Sequence, residues 1–157
     1  MGAPNTAQTQ GMIVSLLEGL NIFNSVATGE PPDYTDLVQA PLYATCSVVF
    51  FEDESDHEAS GGLVEDTQGF RVRAVIDLSD YQRAEQILTT VRDAVVPLFQ
   101  TKSQLGDSNG STNIVYSIIK PHSTRPGYLF AEGKLYRAYE FIVQPTSQWY
   151  VNLGVTP

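Results

Sequence analysis

Residues 70–96, FRVRAVIDLSDYQRAEQILTTVRDAVV, contain both periodicities that decide the fold. In Phe70–Leu78 the residues Phe70, Val72, Ala74, Ile76 and Leu78 alternate with Arg71, Arg73, Val75 and Asp77. A period of two places the first set on one face of a strand and the second on the other, so one face is core and one is polar. From Ser79 the period changes. Ala84, Ile87, Leu88, Val91, Ala94 and Val95 form the apolar stripe of a helix over residues 79–96. Ser79 and Gln82 fit the S-x-x-Q capping box, and Pro97 marks the last turn or the stop.

Upstream, Ile13, Leu16, Leu17 and Leu20 recur at helical spacing and predict a helix over residues 6–20. Asn5 or Thr6 can cap its start, and Gly19 and Asn21 suit its end. Residues 24–41 carry Gly29, Pro31, Pro32 and Pro41, which exclude a continuous helix or a central strand. A short edge strand fits within residues 21–27. Leu42–Glu52 reads as a strand, apolar on both faces near its end and therefore expected to be covered on both sides. Residues 53–69 open on an acidic, glycine-containing excursion, EDESDHEASGGLVED from Glu52, expected to be a long hairpin arm or loop.

Downstream, residues 104–112 form a turn-rich loop, 113–120 a strand and 121–126 a connection. Residues 128–131 and 134–144 pair as a hairpin across Glu132-Gly133, and 145–157 form a polar, aromatic tail in which Trp149 and Tyr150 dock on the domain or on a partner. Hairpin-linked strands with only two helices predict one α+β domain over residues 1–157, a mostly antiparallel sheet with both helices on one face.

Composition narrows the function. No apolar run reaches the roughly 18–20 residues of a membrane helix, and Met1–Gln10 lacks the basic and apolar regions of a signal peptide. A cytosol-like compartment is expected, and Asn109-Gly110-Ser111 is then a chance match to a glycosylation acceptor. Net charge is −9, against direct phosphate binding. Residues 1–70 hold no Lys or Arg and carry −11, whereas residues 71–157 carry +2. That split produces a bipolar surface if the fold keeps the parts separate.

No phosphate loop, dinucleotide fingerprint or nucleophile elbow is present. Cys46 sits mid-strand on an apolar face and reads as a small buried hydrophobe. A nucleophile pair with His57 or His122 would need an accessible thiolate. Glu52, Asp53, Glu54, Asp56, His57 and Glu58 read first as a solvated charge run; an oxygen-ligand metal site and a contact with a basic partner are the two other readings. No EF-hand spacing supports the metal, and no cofactor is expected. Arg71 and Arg73 share a strand face, either solvated with acid partners across the strand, or forming an inter-subunit ion-pair row or a lining near DNA. Arg125 and Arg137, with Lys120 and Lys134, admit the same readings.

The layout resembles the tail-terminator and tail-completion proteins of long-tailed phages and gene-transfer particles. The resemblance rests on the leading helix MIVSLLEGL, the loop VATGEPPDYTDLVQAP with a strand directly after its proline, the R-x-R strand FRVRAVIDL running into SDYQRAEQILTTVRDAV, and the closing LYRAYEFIVQP. It spans roughly residues 11–145. It implies no catalytic residues and a virion location. It also implies a ring, commonly a hexamer, that caps the tail tube and meets the head or neck, with DNA passing through its lumen. Interface candidates are then Glu52, Asp53, Glu54, Asp56, Glu58, Arg71, Arg73, Arg125, Arg137 and Trp149. A head-closure or tube protein, a small-molecule module or modest enzyme on the same scaffold, and an adaptor docking through the acidic arm are the alternatives.

Overall fold

A computed structural model describes residues 6–30, 34, 42–56, 63–101, 115–117 and 122–150. The architecture is α+β: two helices on a seven-stranded, mostly antiparallel sheet. The elements are α1 (Thr6–Glu18), β1 (Val26–Thr28), β2 (Ala44–Asp56), β3 (Leu63–Ile76), α2 (Tyr81–Thr101), β4 (Val115–Ser117), β5 (His122–Ala131), β6 (Lys134–Val143) and β7 (Thr146–Tyr150). The principal strand order is β1-β2-β3-β6-β5, and among the described strands only β1 pairs in parallel.

The alternation in β3 performs as expected. Phe70, Val72, Ala74 and Ile76 are fully buried and meet Ile13 and Leu17 of α1 and Ala84, Leu88, Val91, Val95 and Phe99 of α2 in one core. Cross-strand neighbours Ala44, Cys46 and Val48 of β2 and Tyr139, Phe141 and Val143 of β6 complete it. Both helices therefore cover one face, leaving the Arg71–Arg73 face open.

Several expectations are corrected. The acidic stretch is the hairpin arm of the two expected forms, but the strand expected to end at Glu52 runs on to Asp56, so β2 and β3 pair from Ala44–Ile76 up to Asp56–Glu65. Thirteen residues of strand reach about 40 Å. One extra residue, Phe51, is inserted where the register shifts between Phe50 and Glu52. Coverage of β2 on both sides is reversed from expectation: Thr45 and Ser47 are buried, whereas Phe50 and Phe51 are substantially exposed at the bulge.

The second helix runs past Pro97 to Thr101, because Phe99 is buried against Phe141, ring centroids 6.0 Å apart, and anchors the last turns. Its cap is Asp80, whose carboxylate accepts the Arg83 backbone N–H at 3.1 Å. Ser79 instead gives its hydroxyl to Asp77.

Residues 122–126, expected to be part of a connection, are the first half of β5, and the expected tail contains β7. Strand β7 lies on Leu63–Thr67 in the same register that β6 keeps on Phe70–Ile76, so β6 and β7 are one line interrupted at Gln144-Pro145. Pro145 has no N–H to give, but its carbonyl accepts the Gln68 N–H at 3.1 Å and keeps the line on track. The expected turn at Glu132-Gly133 is present, both residues having positive φ, 54° and 75°, as a type I′ turn requires. The other expected loop, 104–112, lies outside the described residues.

Candidate interaction surface

The sheet face away from the helices is the candidate site. Strand register sets it out in rows. Ala27, Ser47, Arg73, Glu140 and Arg125 are successive cross-strand neighbours from β1 to β5. Arg71 lies two residues from Arg73 on the same face, so the R-x-R spacing does bring both guanidinium groups together.

Acidic partners hold that pair. Arg73 Nη2 lies 2.9 Å from Glu140 Oε2 and its Nη1 3.3 Å from Glu30 Oε1, while Arg71 Nη2 lies 3.2 Å from the same Glu30 oxygen. Half-burial lowers the Arg73 pKa. The hydrogen bond to Glu140 and the charges of Glu30 and Glu140 outweigh that and hold it above the ordinary arginine value. Tyr34 crosses this face, 7% exposed, with its ring 5.3 Å from Tyr136. Its hydroxyl pKa is raised, first by burial and then by the Glu30 carboxylate. Val75, Leu129 and Ala131 complete a small apolar island beside the ionic row. An open cleft of about 170 Å³, lined by Arg73, Arg125, Leu129 and Glu140 among others, separates the two arginines.

The other expected residues separate into distinct settings. Arg125 is exposed at the end of the row. Arg137 is on the opposite face. It bonds Glu85 Oε1 at 2.6 Å and the Gly127 carbonyl at 2.7 Å and stacks on Tyr128, a set of contacts that fastens α2 to the β5–β6 hairpin. Glu52 and Asp53 are exposed just beyond the bulge. Glu54 and Asp56 continue β2, opposite Thr67 and Glu65, and Trp149 sits in β7 opposite Val64. The side chains of these three, and Glu58 altogether, lie outside the described residues.

Sequence reasoning missed three groups. Glu30 and Tyr34 come from the proline-rich connection, where no periodicity announces which side chains turn back to the sheet. Asp77, read as one more polar-face residue, is a buried hub. Its carboxylate is 1% exposed and receives Ser79, Arg83 Nη2 at 2.8 Å and Lys134 Nζ at 3.2 Å. Burial raises its pKa, but the hydrogen bonds from Ser79 and Lys134 and the Lys134 charge outweigh that and lower it.

Among the described residues nothing in this surface has the layout of a nucleophile and base. Cys46 is fully buried, and burial pushes its thiol pKa far up. Among the described residues no three His, Cys, Asp or Glu side chains gather at a metal-binding distance, and no helix is long and apolar enough to cross a membrane.

No protein-family model matches the chain. No curated protein matches it either. Among solved structures, it is similar to a chain of the virion of a native gene transfer agent particle. The two share 15% identity at a TM-score of 0.46, with 87% of this chain and 85% of that one covered.

Proposed function

We propose that the chain is a non-catalytic structural protein of a phage-type particle, which forms a ring that terminates the tail tube and joins it to the head or neck. The observation that carries this reading is the open sheet face. One side of the sheet is sealed by two helices. The other presents an ordered row of charges beside an apolar island, with no catalytic constellation among the described residues. Surfaces of that kind recognise other proteins through complementary charge more than they bind small ligands. The arrangement of elements over residues 11–145 supplies the family expectation, and with it a hexamer and an assembled location in the virion.

In that setting the arginine row faces neighbouring subunits or the DNA in the lumen, and the acidic end of the β2–β3 hairpin meets a basic neighbour such as the tube or neck protein. Light scattering on the purified chain, alone and with tail tubes, tests the reading. A ring near six times 17.2 kDa, formed alone or on tubes, supports it. Open-ended polymerisation favours a tube protein. A monomer that ignores tubes and binds a small ligand in the open cleft of about 250 Å³ between Tyr43, Arg83 and Ile87 sinks the structural reading.

A further inference from the structure

Beyond Val48 the outer edge of β2 has no strand partner among the described residues. β1 pairs with Cys46, Ser47 and Val48 and stops there, and the Gly29 N–H given to the Val48 carbonyl at 2.9 Å closes that side. Residues 49–56 run on with β3 alone beside them. A strand edge of that kind offers its N–H and C=O groups to another strand.

Two large apolar side chains stand on this free stretch, Phe50 39% and Phe51 44% exposed. Phe50 lies opposite Phe70 on the helix face, its ring 5.5 Å from that buried ring. The inserted Phe51 turns its ring onto Gly69, 3.2 Å from where a Cβ would stand, and Glu52 lies opposite the same glycine. Strict alternation would put Phe51 and Glu52 on opposite faces; the bulge makes them share the open one. Asp53, opposite Gln68, then returns to the helix face beside Phe50. Each face of the free edge therefore carries one aromatic ring followed by one carboxylate. Phe50 is backed by Phe70 and Phe51 by the Gly69 backbone, so both rings are set before a partner arrives.

Charge selects the occupant. Glu52 and Asp53 are exposed and stand in no ion pair among the described residues. Further along, Asp56 lies opposite Glu65 in the register, a like-charged pair. A basic partner relieves that repulsion, whereas a phosphate backbone or an anionic membrane adds to it. A second copy has little to give. Of the Lys and Arg among the described residues, all but Arg125 already hold an acid of their own chain.

We infer that the edge of β2 beyond Val48 docks an extended, basic segment of a different protein. Phe50 and Phe51 are its apolar anchors, and Glu52 and Asp53 meet the Lys or Arg side chains of that segment. The inference rests on the terminator reading and names the contact through which the ring meets its neighbour. The added strand satisfies the free backbone groups, the rings supply most of the affinity, and the carboxylates choose the partner.

Two variants test it. Phe51→Ala removes a ring and no charge; Glu52→Gln/Asp53→Asn removes charge and little shape. Both are expected to keep the wild-type oligomer in light scattering and the wild-type circular dichroism. In co-sedimentation with tail tubes, and separately with tail-less filled heads, Phe51→Ala is expected to weaken binding to one of the two by about tenfold or more. The charge variant is expected to lose most of the decline in binding that the wild type shows as salt rises. Variants that bind both as tightly as the wild type overturn the inference and leave the ring standing. Dissociation of the oligomer itself by Phe51→Ala, with the fold intact, places a second copy on the edge and also overturns it. A wild-type chain that binds neither tubes nor heads removes the inference and the terminator reading together.

Discussion

At the scale of single residues, two side chains hold conformations that the chain must offset elsewhere. Asp77 is a carboxylate removed from water and kept ionised by Ser79, Arg83 and Lys134. Removing its charge leaves Arg83 and Lys134 facing an amide, so Asp77→Asn should cost about 2–4 kcal/mol at pH 7 in urea unfolding. A lowered folded-state pKa means the contribution is present above the ordinary value of 3.8 and is lost as pH falls through the folded value below it. The gap between wild type and Asp77→Asn should therefore close in acid, below that value. Equal gaps at pH 7 and pH 3 would show that charge is not what Asp77 contributes. Glu132 adopts φ 54° at the first position of the hairpin turn, where asparagine is better suited. Glu132→Asn should raise stability by about 0.5–1 kcal/mol, read as a higher midpoint with an unchanged m-value.

At the scale of elements, the β2–β3 hairpin depends on one close approach. Opposite the bulge, a Cβ on Gly69 would lie 3.0 Å from Glu52 Cβ and 3.2 Å from the Phe51 ring. The ring can rotate away; the Glu52 Cβ is fixed by the strand. Gly69→Ala should therefore cost about 1–2 kcal/mol by thermal unfolding, with the loss concentrated in hydrogen-exchange protection of residues 63–70. An unchanged hairpin would mean that the bulge tolerates more room than its contacts indicate. The bulge also divides the sheet. Below it, β3 is covered by helices and paired with β6. Above it, β3 pairs with β7.

At the scale of the whole molecule, the two sheet faces have separate duties. Truncating a fully buried core residue, as in Phe141→Ala, should cost about 3–5 kcal/mol and lower the folded fraction. The Arg71–Glu30 pair is more than a third exposed on both sides, and such pairs contribute under about 1 kcal/mol. Arg71→Ala should therefore leave the unfolding midpoint nearly unchanged while weakening association in sedimentation velocity, more so at low salt, where surface charge is least screened. A large loss of stability with association intact would reverse the assignment of duties.

The sequence by itself determined what is local. A period of two in residues 70–78, a period of 3.6 from residue 84 onward and a Glu-Gly turn each act through neighbours a few residues apart, so the strand, the helix and the hairpin were readable before any coordinates. The shared face of Arg71 and Arg73 followed from the same alternation. Only the tertiary structure decided which strands lie side by side. Residues 146–150 carry no clear strand pattern, yet they pair because β6 has already set their register on β3. Glu30 and Tyr34 become part of the charged face through Arg71, Arg73 and Tyr136, which are distant in the chain, and Asp77 becomes a hub because a helix start and a distant hairpin converge on it. Those contacts join residues that are far apart in the chain. Their energy depends on closing long loops around a common core, which no local pattern encodes.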